Sequence, residues 1–228
     1  DVIFVTSNYS DAYKAVTRDI SNITKQFGDF ATPILFFSDS NNFRKKISPD
    51  YKGHRNRKKP CGYKRVIRDL RINYEVIVMK TLEADDAMGI YATAHPGNMI
   101  VSPDKDMRQI PGKLYNLTDT TYITPEEGAR WHLIQTLAGD QTDGYSGVPG
   151  IGVKRAETLF DKEGYSWQTV LKAFNDKGLT DADALLNARL ARILTLDDYD
   201  TKRQEPILWT PEVSFTIDDG ARLQDASY

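Results

Sequence analysis

Short apolar runs alternating with segments of helical spacing predict an α/β fold, a sheet flanked by helices. Apolar runs stand at 33–37, 74–79 and 98–102, helix-spaced apolar residues lie between them, and acids or serines follow where the runs end. In open α/β sheets, ligands bind beyond the carboxyl ends of the strands. The fold class therefore also says where to look for chemistry.

The elements follow in order. Residues 2–5 are short and apolar, a first strand. Residues 13–27 carry Ala15, Val16, Ile20, Ile23 and Phe27 at helical spacing, and Gly28 stops that helix. Residues 33–37 read as a buried strand ending in Ser38-Asp39-Ser40. Pro60 and Gly62 break a basic segment, and a helix over 63–72 then sets Tyr63, Ile67 and Leu70 opposite Lys64, Arg65 and Arg68. Residues 74–79 alternate as a strand, 83–94 form a helix opening on acids, and 98–102 and 113–117 are two more strands. Thr124-Pro125-Glu126-Glu127 is a helix start, with Thr as N-cap, Pro in the first turn and Glu at the third position. That helix runs to about 138. Beyond Asp140 the chain is mostly helical to about 199, with a sharp turn at 147–152 and an irregular tail around Trp209. This divides the chain into an α/β part, 1–123, with a basic arch at 48–72, and a helical part, 124–228.

The chain's 228 residues are 40% hydrophobic and 27% charged, enough to bury a core. The net charge of −2 hides segregation: residues 51–68 hold eight Lys or Arg and no acid. Local charge decides what a surface attracts. A single cysteine, Cys61, excludes an internal disulfide and a cysteine zinc site, and suits a reducing compartment. No apolar run is long enough to span a bilayer, and no signal peptide is visible. Ser and His show no spacing of a nucleophile triad. His132, beside Trp131, reads as packing.

The acids gather in three clusters: Glu83, Asp85 and Asp86; Asp104 and Asp106; Asp140 and Asp143. Asp39 sits at another strand end. Glu83 and Asp86 face the same way on a helical turn. Asp104 and Asp106 share a face if the backbone is extended. Asp140 and Asp143 are three apart at a helix end. One acidic first turn merely complements a helix dipole, but three clusters on one rim point to hard divalent ions such as Mg²⁺ bridging to phosphates. Two ions about 4 Å apart, activating water and stabilising a leaving oxygen, are the usual use of such a site.

Lys52, Arg55, Arg57, Lys58, Lys59, Lys64, Arg65 and Arg68 have the composition of a phosphate-contacting arch. Tyr51 and Tyr63 flank it, as base-stacking residues or as core. Gly147-Val148-Pro149-Gly150-Ile151-Gly152 then opens a helix bearing Lys154 and Arg155. Glycines allow close backbone approach, and a helix N-terminus favours a phosphate. A generic helix corner is the plainer alternative.

Taken together these segments resemble the flap endonuclease / 5′–3′ exonuclease family, especially its small phage members. The matching stretches are Phe37-Ser38-Asp39-Ser40, Pro49-Asp50-Tyr51-Lys52-Gly53-His54-Arg55, Leu82-Glu83-Ala84-Asp85-Asp86, Ser102-Pro103-Asp104-Lys105-Asp106, Gly139-Asp140-Gln141-Thr142-Asp143-Gly144, the glycine turn, and Ala191-Arg192-Ile193-Leu194. The resemblance implies a PIN-like, mostly parallel sheet with a helix–turn–helix-type DNA clamp at 147–160. It implies a two-metal nuclease cutting DNA near 5′ ends, flaps or nicks, with Mn²⁺ able to replace Mg²⁺, RNA primer–DNA hybrids as further substrates, and a monomeric state. Asp39, Glu83, Asp85 and Asp86 match one side of the metal cluster; Asp106, Asp140 and Asp143 match the other, with Asp104 between. Lys52 and Arg55 match the catalytic positions at the base of the arch. The glycine turn (Gly147, Val148, Gly150, Ile151, Gly152) matches a duplex clamp that binds K⁺ through carbonyls. A phage origin would place the protein in a bacterial host's cytoplasm. The family opens with a strand ending in Asp-Gly, and Asp1-Val2-Ile3-Phe4 resembles the residues immediately after that pair, so the natural protein is expected to be longer. The rival classes are a catalytically weak DNA-binding module using arch and clamp, and an RNA-cleaving toxin on a similar acidic scaffold.

Overall fold

The structure is a computed structural model that describes residues 9–28, 31–55 and 59–211. The strand expected at 2–5, the arch residues Arg57 and Lys58, and the tail beyond 211 lie outside the described residues.

Helix α1 (Tyr9–Lys25) docks on α3 (Tyr63–Asn73). The Tyr9 hydroxyl donates to Asp69, and Asn73 donates to the Tyr13 hydroxyl at 3.1 Å. Strand β1 (Ile34–Phe36) pairs in parallel with β2 (Glu75–Ile77), Leu35 opposite Val76. Between them lies a short helix the apolar pattern did not suggest, α2 (Arg44–Ile47), three of whose four residues are Arg or Lys. Helix α4 (Ala84–Ala94) follows β2. Strand β3 (Met99–Val101) is parallel to β4 (Gly112–Tyr115), and β5 (Thr120–Ile123) is antiparallel to β4. The expected sheet is thus present as two pieces among the described residues, parallel in two of three pairings. Sequence reasoning missed β5 because Thr120, Thr121 and Tyr122 are exposed and carry no apolar run. The Asn116 carboxamide makes the preceding turn, accepting from the Thr118 and Asp119 amides at 2.9 and 2.8 Å.

The start of α5 (Pro125–Ala138) is as expected: Thr124 accepts from the Glu127 amide at 3.1 Å, and Glu127 accepts from the Thr124 amide at 2.8 Å. Helices α6 (Val153–Glu163), α7 (Trp167–Asn175) and α8 (Asp181–Ala191) pack with α5 around Trp131, Ile134, Leu137, Phe160 and Phe174. His132 is a packing residue: it is 2% exposed, bonds the Ala188 carbonyl at 2.8 Å, and burial pushes its pKa down to about 4. After α8 the chain turns back. Ile193 joins Ile100, Met107 and Leu114, while Leu194 and Tyr199 join Phe43, Leu82 and Ile90. The tail of the helical half therefore completes the cores of the first half.

Helix α5 ends at a tight hairpin, β6 (Gly139–Asp140) antiparallel to β7 (Tyr145–Ser146), and Gly147 follows. A Cβ on Gly147 would stand 2.1 Å from the Leu137 carbonyl oxygen and 2.4 Å from the Gly139 nitrogen, both backbone. Gly147→Ala is therefore expected to destabilise the fold by at least about 2 kcal/mol, read as a shifted urea midpoint.

Candidate active site

Three segments deliver carboxylates to one pocket of about 350 Å³, lined by Glu83, Asp85, Asp104, Asp106, Asp140 and Asp143. That volume equals roughly ten water molecules. Glu83 is the residue before α4, so the helix start places it and Asp85 on the rim. Asp104 and Asp106 follow β3, but not in the extended form expected. They sit on a 3₁₀ turn (Lys105–Gln109) for which Asp104 is the N-cap, accepting the Asp106 amide at 3.0 Å. Asp140 and Asp143 come from the hairpin that directly follows the end of α5; the Thr142 amide donates to Asp140 at 2.8 Å, and the Thr142 hydroxyl donates to it as well.

Two expected ligands are elsewhere. Asp86 points inward from Glu83, is 0% exposed, and forms a bidentate pair with Arg44 at 2.7 Å for both bonds. It also accepts from the Glu83 amide at 3.2 Å and the Leu194 amide at 3.2 Å, so both its oxygens are spent on the fold. Asp39 accepts from the Thr81 amide at 2.8 Å and the Ser40 amide at 2.6 Å, and these bonds hold its carboxyl below the usual range. It does not line the pocket, although its neighbour Ser38 does.

The pocket's charge is partly met by its own cations. Lys52, in a left-handed backbone conformation at φ 53°, reaches Glu83 at 2.5 Å and Asp143 at 3.4 Å. Arg55 reaches Asp143 at 2.6 Å and the Thr142 carbonyl at 2.9 Å. Lys105 bridges Asp106 and Asp140 at 3.2 and 3.0 Å. With Arg44 assigned to Asp86, six lining carboxylates face three cations. Burial opposes the charge on Glu83, yet Arg44 and Lys52 outweigh it and hold Glu83 below its ordinary pKa. Burial likewise opposes Asp140, and Thr142 and Lys105 reverse the outcome. Asp106 is pushed up by burial and by Asp104. The Asp85 carboxylate has no hydrogen-bond partner among the described residues. Burial, then the charges of Asp104, Asp86 and Glu83, push it up to about 7.

Tyr51 is buried at 2% exposure, its ring packed with Tyr145, Leu190 and Ala191. Its hydroxyl lies 2.9 Å from Glu83 and 3.0 Å from Asp143, so it ties two carboxylate segments and cannot stack on a base. Of the remaining arch residues, none of Lys59, Lys64, Arg65 and Arg68 lines the pocket. Arg68 pairs with Asp69 at 2.8 Å, Arg65 lies over the Tyr9 ring at 4.0 Å, Lys59 lies over the Tyr63 ring at 4.5 Å, and Lys64 is exposed. Asp69, just past the acid-free stretch, thus takes up part of the charge.

The glycine turn divides by role. Gly147 is packed on α5 and Val148 is 2% exposed, its amide bonded to the Leu137 carbonyl at 2.8 Å. Gly150 holds φ +79°, and its carbonyl accepts from Arg155 at 2.7 Å. Ile151 packs against the helical core. Gly152 has open space where a Cβ would be and precedes α6, whose first turn has no side-chain cap. Lys154 is exposed beside it. Sequence reasoning missed Arg44, Lys105 and Tyr145 as pocket residues; Lys105, set between two aspartates, was the one with a readable signal.

The donor set is all oxygen, which suits a hard divalent cation. Among the described residues no three acids stand close enough to hold one ion by themselves. Mg²⁺ normally keeps several waters and takes only one or two carboxylates, so the set fits it.

Residues 5–130 match the profile of the family described as 5′–3′ exonuclease, N-terminal resolvase-like domain. The exodeoxyribonuclease of Enterobacteria phage T3 is 33% identical over 221 positions, covering 78% of this chain and 73% of the relative. The exonuclease of Escherichia phage T7 is 32% identical over the same shares. Among solved structures, the flap endonuclease of bacteriophage T5 in complex with DNA and metal ions superposes with a TM-score of 0.61 at 15% identity, covering 78% of this chain and 80% of that one. At that identity the likeness bears on the fold alone.

Proposed function

The chain belongs to the 5′–3′ exonuclease N-terminal resolvase-like domain family, and from that membership we infer that it is a divalent-metal-dependent nuclease hydrolysing DNA phosphodiesters near 5′ ends. The observation that carries this reading is the pocket itself: six carboxylates from separate segments, with Lys52 and Arg55 from the base of the arch among them. The T3 and T7 relatives are exonucleases, and the T5 structure holds DNA and metal ions.

Glu83, Asp85, Asp104, Asp106, Asp140 and Asp143 would hold two Mg²⁺, or Mn²⁺ in their place. When bound, such ions stabilise the leaving oxygen and lower the pKa of an attacking water. Lys52 and Arg55 are placed to orient the scissile phosphate, being the arch cations that reach the carboxylates. Asp39 and Asp86 we assign to the fold. Gly152, the open first turn of α6 and Lys154 form the clamp on duplex backbone, with K⁺ at the turn carbonyls; Arg155 already engages that of Gly150. Flaps, nicks and RNA primer–DNA hybrids are the further substrates of this reading, and a monomer suffices for it.

The test is cleavage of a 5′-labelled nicked duplex and a 5′-flap substrate with Mg²⁺. Asp143→Asn and a chelator are each expected to lower the rate by at least about a hundredfold. Product lengths separate exonucleolytic from flap cutting. Cleavage surviving without metal sinks the reading, and binding without cleavage by the unaltered protein favours the DNA-binding module.

A further inference from the structure

We propose that Gln135 is a positioning residue: with Gln109 it forms a one-way amide relay that runs from the backbone of residues 191–193 to Asp106 and fixes that carboxylate in the pocket. The inference rests on Asp106 being a metal ligand. The Gln109 side-chain oxygen accepts from the Ile193 amide at 3.0 Å. Its nitrogen donates to the Ala191 carbonyl at 2.7 Å and to the Gln135 side-chain oxygen at 2.6 Å. The Gln135 nitrogen then donates to Asp106 Oδ1 at 2.5 Å. Both glutamines are buried, at 2% and 3% exposure.

The direction of the relay is set by the backbone. An amide N–H at Ile193 needs an acceptor and a carbonyl at Ala191 needs a donor, so Gln109 can sit only one way round. That orientation forces Gln135 to present its oxygen to Gln109 and its NH₂ to Asp106. Lys105 also donates to Oδ1, at 3.2 Å, so among the described residues both donors use the same oxygen and leave Oδ2 to the pocket. Lys105 is half exposed and can swing away; Gln135 is enclosed and stays. The relay accounts for Ala191-Arg192-Ile193-Leu194, which contributes no side chain with obvious chemistry to the pocket. It contributes backbone. From the same strip, the Leu190 and Arg192 carbonyls accept from Arg44, and the Leu194 amide donates to Asp86. The last turn of α8 and the residues just after it thus brace the carboxylates of α4 on one side and Asp106 on the other.

Partners that orient a metal's carboxylate ligands affect metal affinity by about 10–100-fold when lost. Gln135→Met removes the donor while keeping side-chain length. Calorimetric titration of Mn²⁺ into the whole protein is expected to show affinity weakened by about 10–100-fold, with DNA affinity measured without metal unchanged. A folded variant that binds Mn²⁺ within about twofold of the unaltered protein overturns the relay. If the variant does not fold, the side-chain amide resonances of the unaltered protein decide. Gln109 touches no pocket carboxylate, yet its NH₂ signal is expected to shift with that of Gln135 as Mg²⁺ is added; signals unmoved through saturation overturn the proposal. Absence of Mn²⁺ binding to the unaltered protein would sink the metal reading and the relay with it.

Discussion

Arg44→Met is expected to lower the stability of the protein by about 3–5 kcal/mol, the largest single effect on the fold. Arg44 is 1% exposed and Asp86 0%, so removing the guanidinium leaves a carboxylate with no water to replace it. The substitution also frees the Leu190 and Arg192 carbonyls, which lose their donor. A methionine retains most of the packing over Phe43, whose ring the guanidinium now covers at 4.6 Å, so the loss is electrostatic. Urea unfolding monitored by circular dichroism measures it. Arg44→Met combined with Asp86→Leu is expected to regain a large part, because replacing both members of a buried pair by apolar groups is often close to neutral. If Asp86 were instead held for metal, Asp86→Asn would abolish Mn²⁺ binding with stability little changed. The geometry predicts the reverse emphasis.

Asp85→Asn is expected to do two opposite things: lower nuclease activity by more than about a hundredfold, and stabilise the metal-free protein above pH 7. Burial and the neighbouring acids raise the folded-state pKa of Asp85 to about 7. The folded state therefore holds a proton that the unfolded chain releases near pH 4. From about pH 4 upward, unfolding releases that proton, and stability falls with rising pH until the folded-state pKa is passed near 7. Asparagine carries no charge and shows no such decline. In thermal melts without metal, the unaltered protein should lose several degrees of Tm across this window relative to Asp85→Asn. Added Mg²⁺ should raise the Tm of the unaltered protein at pH 8 and leave the variant nearly unmoved. Parallel melting curves at pH 5 and pH 8 would show that Asp85 is not strained.

Much of the element order was legible in the sequence, because α1, α3, α4 and α5 announce themselves by apolar spacing or caps, and the strands at 33–37, 74–79 and 98–102 by apolar runs. The pocket carboxylates were legible for the same reason: acids placed just past strands and helix starts converge on one rim. The partition of those acids was not. Asp86 belongs to the fold because Arg44 reaches it across 42 residues, and no local pattern marks an arginine that will be buried. Asp39 is spent on a loop amide equally far away in sequence. Spacing puts Asp140 and Asp143 at a helix end but does not show the hairpin at 139–146 that follows it. Gly139 at φ +66° and Gly144 at φ +81°, where a Cβ would stand 2.0 Å from the Gly147 nitrogen and 2.9 Å from the Asp50 carbonyl oxygen respectively, turn the chain instead. Tyr51 flanks the arch in sequence but turns inward, since its ring has Tyr145, Leu190 and Ala191 to pack against.

The strip at residues 190–194 also sets a time at which the protein can become complete. A chain emerges from the ribosome N-terminus first, and every pocket carboxylate has been made once Asp143 is out. Arg44 and Gln109 must still wait roughly fifty residues, about 3–10 seconds at about 5–20 residues per second, for the backbone they bind. A nascent chain that has released Asp143 but not Leu194 carries every pocket acid without the backbone that holds Arg44 and Gln109 in place.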